Sequence, residues 1–357
     1  MGATSTTHVY VGTYAKGDEE SVFVRALDEE TGALSPVSAV TGISRPSFLD
    51  LGPGGRTLYA VAEIEEEPGG ALSAYRVSDD GTELTLLNRQ PTGARGPCHV
   101  RVVREGNYAL VANYAGGAVT VFPIAEDGSL KGRSELVHHT GSSVNPDRQS
   151  EAHPHSCNLD PSERVVLVPD LGMDRIVLYR LDRSSGQLES NSVPWAPARP
   201  GAGPRHLDFH PNGRWVYVCN ELDSTITAYG YDAESGGMEE MQTLSTLPDR
   251  YQGVSYTADV HVHPEGGFVY VSNRGHDSLA GFAIDSDGKL TAIGQTSTGG
   301  EIPRNFAIHP DGKLVLAANQ RTNNVVGFRF EAGTGALSPT GADTSIPSPV
   351  CLRFSPR

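Results

Sequence analysis

The polar residues that could do chemistry in this sequence stand beside short apolar segments that are far apart along the chain. They include an imidazole at His155, a carboxylate at Glu221, and guanidinium groups at Arg205 and Arg274. A carboxylate and an imidazole can divide the proton transfers of a hydrolysis, and guanidinium groups bind carboxylates, phosphates and developing oxyanions. These residue types indicate acid–base chemistry on a small anionic substrate, if the fold brings them to one place.

A recurring pair of segments must position these residues. In seven places a segment that usually opens on Pro and a polar residue is followed, after a turn, by an apolar segment such as WVYVCNE, which ends at Glu221. The turns recur at roughly 50 residues, within the range of β-propeller blades. The seventh pair is divided between HVYVGTY, residues 8–14, and SPVCLRF, residues 348–354, at opposite ends of the chain.

The strand content and the split repeat together predict the fold. Two further short segments follow each pair, which makes four antiparallel strands per repeat, and joining the split repeat closes a ring with only short edges. The sequence thus predicts an all-β protein with a single domain spanning residues 1–357. This domain is a seven-bladed β-propeller of four-stranded antiparallel blades, closed by pairing of the N- and C-terminal strands.

The predicted blades place many polar residues around one mouth of the central channel. In an antiparallel pair, the start of the first strand and the end of the second lie at the same end of the sheet. Two long connections, residues 141–156 and 247–260, also end there, and such loops on a rigid scaffold often present binding residues. The predicted ring comprises Glu63, His99, Asn113, His153, His155, Asp170, Arg205, Glu221, Asp259, Arg274, Arg304 and Gln320, with Arg148 on the first long connection.

Structural interpretations compete with a functional one at several of these positions. Ion pairs between blades would explain the arginines and carboxylates of the ring, but not its histidines. His153 and His155 could bind a metal with His99 or Glu221, although the sequence contains no compact metal motif, and no metal site is predicted. Packing or turn roles are predicted for the remaining strand and turn histidines, and core positions for three aromatic residues: His206, His210, His261, His263 and His309, and Trp215, Tyr217 and Tyr270.

Composition limits the partners and the location. The chain carries 43 Asp and Glu against 28 Lys and Arg, and the net charge of -15 argues against nucleic acid or an anionic membrane as a partner. No apolar run is long enough to cross a membrane and no export signal is recognisable, so the sequence predicts a cytoplasmic protein. Its four cysteines fall in strands of different repeats, where buried thiols are expected. Closed propellers are frequently monomeric, and a monomer is predicted.

Several longer segments carry a resemblance to a known family. From VGTY near the start to SPVC near the end, the chain resembles the seven-bladed lactonase family of bacterial propeller-type 6-phosphogluconolactonases and fungal 3-carboxy-cis,cis-muconate lactonizing enzymes. The resemblance is carried by ANYAGGAVTVFPI, HPHS, VPDLGMDRIVLYRLD, GAGPRHLDFHPNGRWVYVCNELDSTITAY, VYVSNRGHDSLAGFAID and PRNFAIHPDGKLVLAANQ. Two departures are EAHPHS, where bacterial relatives more often have PHAHS, and TADV, where many have AAEI and Asp259 replaces a glutamate.

The resemblance implies a site and an activity. In the muconate-cyclizing members, the proposed site takes a histidine from HxHS, an arginine from GPRH, a glutamate from NEL and an arginine from SNRG. These motifs fall here on His155, Arg205, Glu221 and Arg274. The implied reaction is hydrolysis of 6-phospho-D-glucono-1,5-lactone to 6-phosphogluconate in the oxidative pentose phosphate route, without a metal or an organic cofactor.

Roles can be assigned to these residues for lactone opening. Glu221 would act as the general base on water, His155 as the general acid toward the leaving oxygen, and Arg205 would face the oxyanion. The first two roles could be exchanged. Arg274 would hold the phosphate or carboxylate of the substrate. Further predicted substrate-binding residues are Arg148, Arg304, His153, His99 and Asn113.

Two other functions remain open from the sequence. The same residues could lactonize a carboxymuconate, with His155 or Glu221 protonating the carbanion. A propeller could also be a non-catalytic binding module, because fold alone does not imply function. A scaffold of that kind would expose a large aromatic face, whereas 7% of this chain is aromatic and the unusual residues cluster at one pore.

Overall fold

The computed structural model describes residues 6–66 and 68–356, which form seven four-stranded antiparallel sheets. Blade 1 contains β4 (Leu49–Leu51), β5 (Thr57–Ala62), β6 (Ala71–Val77) and β7 (Leu84–Pro91), and a 3₁₀ turn (Pro53–Gly55) joins its first two strands. Blade 2 contains β8 (Pro97–Val102), β9 (Tyr108–Asn113), β10 (Ala118–Pro123) and β11 (Glu135–His138). Blade 3 contains β12 (Asn158–Leu159), β13 (Val165–Asp170), β14 (Arg175–Asp182) and β15 (Gln187–Pro197).

The remaining blades follow the same order from the channel outward. Blade 4 contains β16 (Pro204–Phe209), β17 (Trp215–Asn220), β18 (Thr225–Tyr231) and β19 (Met238–Ser245). Blade 5 contains β20 (Tyr256–Val262), β21 (Phe268–Arg274), β22 (Ser278–Ile284) and β23 (Leu290–Ser297). Blade 6 contains β24 (Pro303–Ile308), β25 (Leu314–Asn319), β26 (Asn324–Glu331) and β27 (Ala336–Ser345).

Blade 7 joins the two ends of the chain. Its strand order is β28 (Pro349–Phe354), β1 (His8–Thr13), β2 (Val22–Leu27) and β3 (Leu34–Val40). Val11 pairs with Leu352 in the antiparallel ladder, and the Ser355 amide donates to the His8 carbonyl at 2.8 Å. The predicted all-β seven-bladed propeller and its ring closure are therefore confirmed.

The apolar core lies between the blades. The second strand of each blade is buried on both faces, which explains its nearly continuous apolar sequence. Tyrosines at one repeat position also connect neighbouring blades, because the Tyr217 and Tyr270 hydroxyls donate to the carbonyls of Gly288 and Gly335. The predicted core positions of these two tyrosines are confirmed, whereas Trp215 is half-buried.

Other expectations from the sequence concern the cysteines and the membrane. All four cysteines are buried and free, as predicted. Within the described ranges, none of the helical segments could reach across a lipid bilayer.

Candidate active site

Bulges at the start of the first strands turn two consecutive side chains toward the channel. In blade 4 the register shifts between Pro204 and His206, so that Arg205 is the extra residue, and blades 2 and 6 shift in the same way at Cys98 and Arg304. A β-bulge leaves one residue unpaired and re-aims its side chain. The bulged residue therefore reaches the mouth, while the residue after it fills the channel below.

Glu221 is the centre of the polar cluster at this mouth. Its Oε2 accepts from Arg205 Nε at 2.9 Å and from Arg274 Nη2 at 2.9 Å, and His155 Nε2 lies 3.8 Å from the same oxygen. Arg148 Nη2 donates to Oε1 at 2.7 Å. The structure thus brings together all four residues predicted to be catalytic, together with Arg148 from the first long connection.

Burial and charge act on the two titratable groups in opposite senses. Burial alone would raise the pKa of Glu221, but Arg274, Arg205, His155 and Arg148 hold this pKa well below its usual value. Burial and the neighbouring Arg205 lower the pKa of His155 well below its usual value, against the pull of Glu221. At neutral pH the carboxylate is therefore ionised and the imidazole is neutral.

The outer wall of the site is aromatic and basic. The Tyr114 ring stacks on His153 at 4.4 Å between centroids and meets His155 edge-on at 5.1 Å. The Tyr114 hydroxyl accepts from Arg148 at 3.3 Å, and the Arg148 guanidinium lies 5.9 Å from the Tyr256 ring centroid. The Arg148 side chain is 36% exposed, so it forms the rim of the mouth. His153 and Arg148 are therefore placed where the sequence predicted them.

A second carboxylate and a fourth guanidinium occupy the opposite side of the mouth. The Tyr14 hydroxyl donates to Glu63 at 3.1 Å, and the Arg304 guanidinium lies 5.1 Å from the Tyr14 ring centroid. Burial would lower the pKa of Arg304, but Tyr14, Glu63 and Glu221 raise it, so this side chain stays charged. Among the described residues, Arg304 has no carboxylate oxygen within 4 Å.

A small cavity lies between these two groups of residues. Its volume is about 10 Å³, which is the space of roughly one water molecule. The residues around it include Tyr14, Glu63, Cys98, His155, Arg205 and Arg304. Since Glu221 is not among them, the carboxylate that faces the cavity is Glu63.

Two residues of the predicted ring belong to the blade interior instead. The side-chain amide of Asn113 donates to the Ala118 carbonyl at 3.1 Å and to Thr120 Oγ1 at 3.0 Å, so this residue lies in the blade wall and not at the mouth where the sequence placed it. Asp170 accepts from three backbone amides and from His139, and it therefore organises its own turn. Side chains alternate between faces along a strand, and Asn113 stands one position before Tyr114, which reaches the mouth.

His99 lies in the channel beneath the mouth. Its ring packs on Phe48 at 4.1 Å, and its Nδ1 accepts from the Cys157 amide at 3.3 Å. The side chain is buried and does not line the cavity. His99 therefore packs inside the channel, below the mouth where the sequence placed it.

Several residues at the site escaped the sequence analysis. Tyr14 and Tyr114 occupy the same repeat position as Glu63, Glu221 and Arg274, at or directly after the end of the second strand, and alignment of the repeats would have found them. His206 was predicted to be a packing residue, but its Nε2 contacts Arg205 Nη1 at 3.2 Å. The bulge that brings His206 to the channel leaves no signal in the sequence.

The site offers no ready set of metal ligands. Across residues 6–66 and 68–356, no group of three or more His, Cys, Asp or Glu side chains is arranged to hold a metal ion. Both oxygens of Glu221 accept from guanidinium groups, which occupy the positions that a metal would need.

Known proteins resemble this chain in sequence and in fold. The family described as "Lactonase, 7-bladed beta-propeller" matches residues 8–354. The 6-phosphogluconolactonase of Bacillus subtilis is 36% identical over 346 residues, covering 97% of each chain. That of Formosa agariphila is 34% identical over 92% of this chain and 94% of its own. The periplasmic gluconolactonase of Pseudomonas aeruginosa superposes with a TM-score of 0.92 at 32% identity, covering 99% of each chain.

Proposed function

The chain belongs to the seven-bladed β-propeller lactonase family, and from this premise we propose that it hydrolyses 6-phospho-D-glucono-1,5-lactone to 6-phosphogluconate. It is a lactone hydrolase that acts at one mouth of the propeller channel. One observation carries the proposal. His155 Nε2 lies 3.8 Å from Glu221 Oε2, and the guanidinium groups of Arg205 and Arg274, from two different blades, contact the same oxygen. The relatives from Bacillus subtilis and Formosa agariphila are both 6-phosphogluconolactonases. Their activity favours lactone hydrolysis over muconate cyclization and over a non-catalytic role.

The charge of the mouth matches a phosphorylated substrate. Four guanidinium groups, from Arg148, Arg205, Arg274 and Arg304, stand against the two carboxylates of Glu63 and Glu221. This leaves two positive charges in a protein whose net charge is -15. A phosphate dianion would neutralise both charges, and one guanidinium group can donate two parallel hydrogen bonds to two phosphate oxygens. Arg304, which lacks a close carboxylate among the described residues, is the best placed to bind the phosphate.

The neutral imidazole of His155 supplies the base. It removes a proton from water as the water oxygen bonds to the lactone carbonyl carbon, and the negative charge that develops on the carbonyl oxygen faces Arg205. When the bond between this carbon and the ring oxygen breaks, the imidazolium returns its proton to the ring oxygen. The products are a hydroxyl group and a carboxylic acid that loses its proton to solvent.

Glu221 has a positioning role in this mechanism. Its low pKa makes it a weak base, and its two oxygens already accept from three guanidinium groups. The geometry therefore favours His155 as the proton acceptor, with Glu221 holding Arg205 and Arg274 in place. The sequence assigned the general base to Glu221 and left an exchange with His155 open. We propose the exchanged assignment, in which His155 is the general base.

The cavity suggests where the reactants bind. It has the size of one water molecule and lies between His155 and Arg205, so it can hold the attacking water. The lactone ring then binds outside it, toward the rim at Arg148 and Tyr256. The phosphate would be directed toward Arg304.

A substrate panel tests the proposal. Fresh 6-phosphogluconolactone, unphosphorylated gluconolactone and a carboxymuconate are offered to the wild type, His155→Asn and Arg304→Gln. We expect turnover of the phosphorylated lactone, a loss of about 100-fold or more in kcat for His155→Asn, and a KM raised about 10-fold in Arg304→Gln for that lactone alone. Arg321→Gln, which removes an exposed arginine, is the control. Full activity of His155→Asn would overturn the proposal.

The location and oligomeric state are part of the proposal. We propose a cytoplasmic monomer, because a phosphorylated lactone is charged and does not cross membranes, and because a closed ring has no open end to which a second copy could add a blade. A relative of similar fold is periplasmic, so location has to be measured by cell fractionation. Light scattering at micromolar concentration should give the mass of one chain.

A further inference from the structure

A hydrogen-bonded chain of buried side chains continues from Arg205 into the channel below the site. Arg205 Nη1 lies 3.2 Å from His206 Nε2 and donates to the Ala258 carbonyl. On the other side of the imidazole, His206 Nδ1 lies 2.8 Å from Asp259 Oδ1. Arg205, His206 and Asp259 are all buried, with relative exposures of 3%, 6% and 3%.

The chemistry of these groups assigns the protons in the chain. A guanidinium group can only donate and an ionised carboxylate can only accept. Burial and Arg205 lower the pKa of His206 to about 4, so the imidazole is neutral. Its proton must therefore lie on Nδ1, facing Asp259, which leaves Nε2 bare to accept from Arg205. The carboxylate thus selects the tautomer that can hold the arginine.

The Asp259 carboxylate accepts hydrogen bonds from residues of several blades. Its Oδ2 accepts from His261 Nε2 at 3.1 Å and from the Asn305 amide, and its Oδ1 accepts from the Val260 amide at 3.0 Å. Burial would raise its pKa, but His261 and His206 hold the pKa well below the usual value. The side-chain oxygen Oδ1 of Asn305 accepts from the Leu352 backbone amide at 2.7 Å, which extends the network to the ring-closing blade.

We propose that His206 and Asp259 are positioning residues for the lactonase reaction, which fix the Arg205 guanidinium so that Nη2 faces the oxyanion. The proposal rests on the proposed function of Arg205. Nε donates to Glu221 and Nη1 to His206 and Ala258, so the plane of the guanidinium is set by three partners from two blades. Nη2 has no hydrogen-bond partner in the part of the chain that the structure describes. A donor that is fixed in advance stabilises developing charge without reorganisation.

A register shift in β20 sets the direction of the Asp259 side chain. Two residues of β20, Ala258 and Asp259, lie within the register shift between Thr257 and Val260. The shift aims the Asp259 carboxylate into the channel and the Ala258 carbonyl at Arg205. Asp259 therefore reaches Arg205 through His206.

Variants of His206 and Asp259 test the proposal through activity. We expect Asp259→Asn to lower kcat for 6-phosphogluconolactone by about 100-fold with KM changed little, because the amide can donate to Nδ1 and move the imidazole proton to Nε2, against Arg205. His206→Leu should lower kcat by a similar factor. His206→Gln should recover part of the rate, because its amide oxygen can replace Nε2 as the acceptor. Asp50→Asn is the control, since Asp50 is a buried channel carboxylate whose hydrogen bond goes to the Val102 amide, away from Arg205.

A measurement that does not depend on activity separates this proposal from the proposed function. In protein labelled with ¹⁵N-histidine, the wild type should show His206 protonated on Nδ1, and Asp259→Asn should shift the proton to Nε2. A wild-type His206 protonated on Nε2 would overturn the proposal, even if the enzyme hydrolyses lactones. A folded His206→Leu variant with wild-type kcat would do the same. If no lactone were hydrolysed, the proposed function would fail while the tautomer result still stood.

Discussion

Glu221 and His155 lie 3.8 Å apart, yet they are expected to do different work. Three guanidinium groups contact Glu221, and they offset the cost of burying its charge. For His155, burial and the nearby Arg205 outweigh the opposing effect of Glu221 on its pKa, and the imidazole therefore stays neutral. Two titratable groups with pKa values displaced from their usual ranges in one cleft are typical of an active site.

The pH dependence of the rate follows from the state of His155. We expect the acidic limb of kcat/KM for 6-phosphogluconolactone to lie well below pH 6.5, because burial and Arg205 lower the pKa of His155 and the imidazole works as a base while it is neutral. Initial rates of acid release at fixed ionic strength measure this profile. An acidic limb centred at or above 6.5, the ordinary histidine value, would contradict the role given to His155.

The same buried histidines should make stability depend on pH. The pKa values of His99, His155 and His206 are lowered by burial, so below pH 6.5 the unfolded chain binds protons that the folded chain does not. Unfolding free energy should therefore fall as pH drops from about 7 to about 5, by up to about 1.4 kcal/mol per pH unit for each histidine. His261, whose pKa is raised by Asp259 and Asp208 despite burial, acts in the opposite sense.

Denaturant titrations at several pH values measure this slope. His99→Gln should reduce it by the contribution of one histidine, since His99 lies outside the catalytic cluster. A wild-type protein that becomes more stable toward pH 5, or a variant with an unchanged slope, would be inconsistent with neutral buried imidazoles.

At the scale of the element, two adjacent positions at the end of the second strand have different tasks in blades 2, 4, 5 and 6. The first position carries Asn113, Asn220, Asn273 or Asn319, and each of these amides bonds within the propeller wall. The next position carries the residues of the mouth, such as Glu221 and Arg274. Side chains alternate between the two faces of a strand. The first of the two residues therefore points into the wall, and the next points to the mouth.

Substitutions at these two positions should therefore have opposite effects. Asn113→Ala should lower the unfolding free energy by about 1–3 kcal/mol, because it leaves buried partners unpaired, and should keep kcat within about twofold. Glu63→Gln, at the mouth, should lower the rate and leave stability almost unchanged. Urea unfolding and initial rates on the same preparations measure both. A loss of substrate binding in Asn113→Ala would restore the role predicted from the sequence.

At the scale of the whole molecule, the site depends on ring closure. Its residues come from blades 1 to 7, with Tyr14 directly after β1 and Arg304 on β24. Neighbouring blades are joined by apolar packing and by repeated hydrogen bonds between tyrosine hydroxyls and turn carbonyls. A weakness at the junction of the chain ends should therefore affect the stability of the ring as a unit.

Gly12 on β1 provides a test of this junction. A Cβ at this position would lie 2.4 Å from the Pro46 carbonyl oxygen and 3.2 Å from Leu49 Cγ, so Gly12→Ala forces the strand away from the next blade. We expect a loss of about 1–3 kcal/mol in unfolding free energy. Gly132→Ala, where a Cβ would meet no atom within 4 Å, should change stability by less than about 0.5 kcal/mol. Equal melting temperatures for the two variants would show that the junction tolerates the clash.

The sequence by itself determined the blades, their number and the closure of the ring. These features depend on local patterns: apolar second strands such as β13 and β25 that are buried on both faces, turns at a regular spacing, and a repeat split between the ends. Topology then indicated that His155, Arg205, Glu221 and Arg274 meet at one mouth. The strand ends that must lie together follow from the antiparallel connection alone.

Only the tertiary structure decided which of two neighbouring residues faces the mouth of the channel. Asn113 and Asp170 were assigned to the mouth and lie in the wall, whereas His206 was assigned to packing and holds Arg205. The reason is the register: the bulges at Pro204–His206 and Thr257–Val260 depend on how each first strand meets its partner across the sheet. Such a shift of one residue turns a side chain from the wall to the channel, and it leaves composition and spacing unchanged.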